Sequence, residues 1–283
     1  YGRDFISKKY HIKDRSKISV IYNFVKKDLR YQDNSKLNRN PLTIVYPGGT
    51  SVQKSVDVIQ HLVYKLLRSN LDFRFVWLGG TKLPGAKMSL FGLRTTESLF
   101  PSDPRLIITG NVSRDKAMEV IGNTNIFLLP SRGEGCPMTL LEAMRGGCIP
   151  VVSDAHHGSR EILELSGTGI ITKQGSASSL YNAIATIINN HELYISNYPK
   201  TKEYLNTELS EKKWAEKMTK VIMDAINTTK LTIPLSFKAF KKSYHCYSRL
   251  MYWERIKTIF RSAHYRIKLD LMYILYKLGL INH

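Results

Sequence analysis

The feature that most constrains this chain is a series of short apolar runs that do not alternate with polar residues. They occupy residues 18–22, 42–46, 73–78, 106–109, 126–129, 149–152 and 169–172. Several are closed by turn residues: Pro47-Gly48-Gly49 after the second, Gly79-Gly80 after the third, Gly110 after the fourth, Pro130 after the fifth. A half-solvated strand alternates, whereas a strand covered on both faces is apolar throughout, so these runs predict a parallel sheet. Between them lie segments with helical spacing. Val56, Ile59, Leu62, Val63, Leu66 and Leu67 form one stripe. Ala117, Val120 and Ile121 follow Ser113, a suitable N-cap. Met138, Leu141, Ala143 and Met144 precede Gly146-Gly147, a helix stop. Leu180, Ala183, Ile184, Ile187 and Ile188 follow a Ser-rich start. Strand and helix in regular alternation predict an α/β fold with a doubly wound parallel sheet. Residues 82–104 read as a longer irregular connection, and residues 191–228 as helical with a break at Pro199. Ser210 caps the last of these helices, which carries Trp214, Met218, Val221 and Ile222.

Charge divides the chain. It has 42 Lys and Arg against 23 Asp and Glu, a net +19. Residues 1–40 and residues 230–283 hold 11 Lys and Arg each, so the middle is nearly neutral. That argues against one continuous nucleic-acid face. Residues 237–278 also interleave ten aromatic residues with the basic ones. The expected organisation is a basic segment over 1–17, a sheet domain over 18–229 and a basic aromatic helical tail over 230–283. Hydrophobic residues make up 43%, enough for a core. No stretch approaches the roughly 18 apolar residues of a membrane-spanning helix. Cys136, Cys148 and Cys246 are too few and odd in number for a disulfide scaffold and suit a reducing compartment. The chain opens on Tyr1 without a signal peptide, and a fragment of something longer is expected.

The chemistry concentrates in one stretch, Leu129-Pro-Ser-Arg-Gly-Glu134-Gly-Cys-Pro-Met-Thr-Leu-Leu-Glu142-Ala-Met-Arg-Gly-Gly. A strand end, a Gly-containing loop and a helix start place backbone N–H groups and the positive helix end at the sheet's carboxyl edge, where open α/β sheets bind ligands. Two carboxylates there repel phosphate but accept hydrogen bonds from hydroxyls, such as those of a sugar and a ribose.

Glu134-x7-Glu142, followed by Ala-Met-x-x-Gly-x-x-Pro-Val-Val, resembles the donor-binding motif of retaining GT-B glycosyltransferases, the large family that includes glycogen synthase, sucrose synthase and bacterial mannosyl- and capsule-sugar transferases. Val20-Ile-Tyr-Asn-Phe-Val25 resembles its Val-Ile-x-Asn-Gly-Val segment, and Tyr46-Pro-Gly48-Gly49-Thr-Ser-Val-Gln-Lys54 its Gly-Arg-x-x-x-x-Lys turn. Phe75-Val-Trp-Leu-Gly79 and Ile108-Thr-Gly110-Asn-Val112 match the next two strand ends. The likeness runs over residues 18–228 and implies the C-terminal, Rossmann-like half of a GT-B enzyme. It implies that Glu134 binds donor-sugar hydroxyls near the anomeric carbon and is the catalytic residue. Glu142 would bind the ribose hydroxyls. Backbone groups of Gly48, Gly49, Gly135, Cys136, Met138, Thr139 and Leu140 would surround sugar and diphosphate, Lys54 would neutralise the diphosphate, and Val112 would contact the base. Catalysis of this kind rests on leaving-group stabilisation and positioning. No Asp-x-Asp occurs, so no metal and no cofactor is expected beyond a nucleotide diphosphate sugar as donor substrate.

Two departures stand out. The family's usual Arg aligns with Gly49, and the loss of one charge-assisted contact costs ~1.5–3 kcal/mol unless Lys82 or another base replaces it. Only 17 residues precede the first matching segment, so the N-terminal acceptor domain of a GT-B enzyme is expected to be missing.

Other features have ordinary readings. Gly48 and Gly49 fit turn glycines, His156-His157 a solvated loop, and Cys148 and Trp77 the core. Cys136 fits a small backbone donor better than a nucleophile, and Trp214 a residue packing the last helix onto the body. The tail has three functional readings, an anionic membrane surface, ranked first, packing on the missing domain, or nucleic acid, beside the ordinary one of a helical pair with a solvated basic face. The expected function is retaining hexosyl transfer to a glycan or lipid-linked sugar in bacterial surface-polysaccharide synthesis, in the cytoplasm at the inner membrane face. The alternative is a non-catalytic sugar-nucleotide-binding or membrane-docking module.

Overall fold

A computed structural model of the chain describes residues 2–26 except 10, 15 and 17, and residues 40–80, 95–155 and 158–228. Six strands form one sheet: β1 (Leu42–Pro47), β2 (Phe73–Leu78), β3 (Leu106–Ile108), β4 (Ile126–Leu129), β5 (Ile149–Ser153) and β6 (Ile170–Thr172). Their order is β3-β2-β1-β4-β5-β6, with every neighbouring pair parallel. Val45 lies in register with Val76 on one side and Phe127 on the other. The chain works outward from β1 to β3, then returns to place β4 on the other side of β1. The crevice of a doubly wound sheet opens at such a reversal, at the carboxyl ends of the strands.

The helices are α1 (Gly2–Lys9), α2 (Val56–Leu67), α3 (Arg114–Gly122), α4 (Met138–Arg145), α5 (Gly158–Ser166), α6 (Ala177–Asn189), α7 (His191–Ser196), α8 (Tyr198–Thr207) and α9 (Glu211–Thr228). Helices cover both faces of the sheet, which explains why the strands do not alternate. Ile44, Tyr46, Ile126, Leu128 and Val151 join a core with α2 and α6. Val45, Phe127, Leu129 and Val152 join a separate core with α3, α4, α5 and α8. Each apolar side chain so buried contributes about 1.5–3 kcal/mol.

The expected strands from 42 onward appear within a residue of their anticipated ends. Residues 18–22 are a correction, because they form no strand. The segment that follows is anchored one contact at a time. The Val25 amide donates to the Leu209 carbonyl, 3.1 Å away, and the Phe24 ring meets the Trp214 ring at 5.3 Å. The apolar residues there cover the end of α8 and the start of α9. Ser113 and Ser176 cap α3 and α6 by accepting from the amides of Lys116 and Ser179. Pro199 sits in the first turn of α8, where its missing N–H costs nothing. α5 went unanticipated, since only Ile162 and Leu163 carry its apolar face. Lys82, the His156-His157 pair, the boundary near 230 and the basic aromatic tail lie outside the described residues.

Candidate functional site

The turn after β1 is built from both sides. The Gly48 amide donates to the Leu78 carbonyl, and the Gly48 carbonyl accepts from the Trp77 indole, each at 2.9 Å. Gly79, at φ +133°, lies against that carbonyl where a Cβ would collide. Trp77 is thus buried, as expected, but it also fixes the turn. Gly49 is exposed, and a Cβ there would meet nothing within 4 Å. A single 3-10 turn, Val52–Lys54, leads into α2. The Tyr46 hydroxyl donates to the Lys54 carbonyl at 2.8 Å. Ser55 follows at φ +58°, a left-handed conformation that costs a non-glycine residue on the order of 1–2 kcal/mol.

Across the reversal, the loop after β4 carries Glu134. Lys54 Nζ is ion-paired with Glu134 Oε1, and both side chains are partly exposed. The sequence motifs that named these two residues lie 80 positions apart, and the fold brings them into contact. The Asn23 side chain donates to the Cys136 carbonyl at 2.9 Å. Burial pushes the Cys136 thiol above its ordinary value, which keeps it protonated and unsuited to nucleophilic attack. Gly135 faces open space, while its carbonyl lies where a Cβ on Gly158 would stand.

α4 begins after Pro137 with no side-chain cap, which leaves the amides of its first turn, Met138 and Thr139, at the mouth of the site. Leu140 differs from expectation. Its amide donates to the Pro137 carbonyl at 3.1 Å and its side chain is buried in the core, so its role there is packing.

Glu142, one turn into α4, is 3% exposed. Its Oε1 is ion-paired with Arg114, the first residue of α3, and its Oε2 is buried without a hydrogen-bond partner. An open cavity of about 280 Å³ lies here, lined by Leu78, Gly79, Val112, Arg114, Thr139 and Glu142 among others. Its walls come from the ends of β1 and β2 and the starts of α3 and α4. The site therefore has two charged centres on either side of the α4 start: Lys54–Glu134 and Arg114–Glu142.

Sequence reasoning missed Arg114, Arg132 and Gln53. Arg114 was legible in principle: a cation in the first turn of a helix opposes the helix dipole and calls for an acidic partner. Among the described residues, no three His, Cys, Asp or Glu side chains come together as a metal site, and no helix is long and apolar enough to cross a membrane.

Comparison with known proteins agrees with this geometry. The model of the family "Glycosyl transferases group 1" matches residues 29–204. A glycogen synthase of Thermosipho africanus is 24% identical over 233 residues, covering 77% of this chain and 46% of that protein. An alpha-galactosylglucosyldiacylglycerol synthase of Streptococcus pneumoniae is 29% identical over 140 residues, 46% of this chain and 36% of that protein. The chain thus spans less than half the length of these two relatives. Among solved structures, a glycosyltransferase from Rickettsia africae superposes with a TM-score of 0.64 at 17% identity, over 81% of this chain and 62% of that one. HepE of Anabaena in complex with UDP and glucose superposes with a TM-score of 0.59 at 16% identity, over 73% of this chain and 57% of that one. These likenesses show the fold.

Proposed function

The chain belongs to the group 1 glycosyl transferases, whose fold is of the GT-B type, and on that premise we propose that it is the donor-binding half of a retaining hexosyltransferase. The observation that carries the reading is the buried, unpartnered Oε2 of Glu142 beside the cavity. A carboxylate oxygen in that position calls for a hydroxyl donor, and a ribose supplies one. The base enters the cavity beside Val112. The diphosphate lies over the uncapped start of α4, where amides and the helix dipole favour an anion. Lys54 leaves Glu134 to neutralise the diphosphate, and Glu134, so released, accepts from hydroxyls of the sugar. The bond from the anomeric carbon to the diphosphate oxygen breaks, the electron pair leaves with the diphosphate, and the acceptor hydroxyl oxygen bonds to the anomeric carbon from the same face as its proton passes to the departing diphosphate oxygen. The acceptor, a glycan or lipid-linked sugar, meets the donor from an N-terminal domain of the whole enzyme. The setting we propose is surface-polysaccharide synthesis at the cytoplasmic membrane face, with residues 237–278 against anionic lipid.

HepE binds UDP and glucose, so UDP-glucose heads the donors to test. Calorimetry with UDP-, GDP- and ADP-sugars on this chain and on Glu142→Ala decides the matter. The proposal expects one nucleotide series to bind and the substitution to weaken it. Equal binding to both proteins overturns it.

A further inference from the structure

Besides the Lys54–Glu134 ion pair, three contacts join the turn after β1 to the loop after β4, and a fourth ties that loop to α2. The Arg132 amide donates to the Gln53 carbonyl at 2.8 Å, and the Gln53 side chain donates back to the Gly133 carbonyl at 2.6 Å. The Arg132 guanidinium donates to the Val52 carbonyl through Nη1 at 2.5 Å. Its Nη2 bridges both oxygens of Asp57, at 3.1 and 3.0 Å, on α2. Asp57 is buried, so this ion pair is anchored in the body of the protein. The segments joined are the two that carry Lys54 and Glu134, and they leave adjacent strands on opposite sides of the reversal in strand order.

Glu134 and Lys54 are each one or two residues from a joined position. The Lys54 backbone is tied only within its own segment, its amide to the Ser51 carbonyl at 3.0 Å and its carbonyl to the Tyr46 hydroxyl, while Glu134 lies in a loop of the other segment. Side chains carried on two separate segments keep their separation only as well as the segments are fixed to each other, and an error of about an ångström forfeits much of a charged contact. The fork of Arg132 is suited to this task, because a planar guanidinium binds a carboxylate and a carbonyl at once. We infer that Arg132, with Gln53, is a positioning residue of the donor site, setting the separation of Lys54 and Glu134 for the diphosphate and sugar. This rests on the donor-site reading above and adds to it that Arg132 acts through Lys54 rather than on the ligand.

The test compares two probes on the full chain. Calorimetry measures the diphosphate and monophosphate of uridine, guanosine and adenosine against wild type, Arg132→Gln, Gln53→Ala, Lys54→Ala and the Arg132→Gln/Lys54→Ala pair. Thermal melts accompany each. The diphosphate's affinity is expected to fall roughly tenfold in Arg132→Gln, the scale of one charged contact. Monophosphate affinity, held at Glu142 and the cavity, stays unchanged. With Lys54 already removed, Arg132→Gln has no further effect on either probe. An unchanged ratio of diphosphate to monophosphate affinity overturns the inference, as does an equal loss of both. A full additional loss in the Lys54→Ala background also overturns it, because Arg132 then meets the ligand directly. Should Arg132→Gln fail to fold, Gln53→Ala, a change at an exposed side chain, decides by the same ratio. Wild type binding no nucleotide refutes the donor-site reading instead, a result distinct from all of these.

Discussion

Arg114 grips one oxygen of the Glu142 carboxylate and leaves the other without a partner, and the two side chains differ sharply in exposure, 73% against 4%. The cation can move into water at little cost, while the anion cannot. The pair therefore keeps a buried charge compensated and an acceptor available.

Glu142→Ala is expected to weaken nucleotide binding by roughly tenfold to a hundredfold, the worth of a hydrogen bond to a charged group. Arg114→Ala is expected to destabilise the fold by about 1 kcal/mol, held low by the solvent exposure of the arginine. Calorimetry reads the first and denaturant unfolding the second. Added to Glu142→Ala, the Arg114 change should cost nothing more.

Glu134 competes with the ligand for Lys54. Glu134→Gln should bind free UDP at least as tightly as wild type, yet give UDP-glucose no advantage over UDP. Competition titrations settle this, and a loss of UDP affinity would count against the exchange of partners.

Ser55 combines a left-handed backbone with a buried hydroxyl that has no hydrogen-bond partner. Glycine removes both penalties and adds chain entropy to the unfolded state. Ser55→Gly should raise stability by about 1 kcal/mol, measured as a shift in unfolding midpoint at constant slope.

Gly49 stands where related motifs carry an arginine, and space is open there. Gly49→Arg should tighten nucleoside diphosphate binding by roughly three- to tenfold, with a steeper salt dependence and no change for the nucleoside.

Cys136 borders the site, but its thiol is raised by burial. At pH 8 its alkylation should be slower than that of a cysteine in an unstructured peptide, as followed by site-resolved mass spectrometry.

The sheet was legible because burial on both faces writes itself into every position of a strand, as Val45 and Ile44 do by facing different cores. The placement of Glu134 in the loop after β4 and of Glu142 on α4 was legible because their spacing belongs to one local turn and helix. Residues 18–22 misled because an apolar run says that something is covered, not that a ladder forms. Arg132 was invisible for another reason. Its work depends on Asp57 and Gln53, brought near only by the strand order, and no local pattern in the chain announces such a meeting.

The loop around Glu134 draws its shape from three remote side-chain amides: Asn23 holds the Cys136 carbonyl, Gln53 that of Gly133, and Gln174 that of Arg132. These come from the approach to the sheet, its first crossover and the turn beyond its last strand. With the fork of Arg132 on Val52 and Asp57, they tie the loop to parts of the chain far from it in sequence. During refolding, long-range contacts form late because chain closure must precede them. Affinity for nucleotide should then be the last property the chain acquires, lagging behind its helical signal, and a bound nucleotide would report that the whole domain has closed.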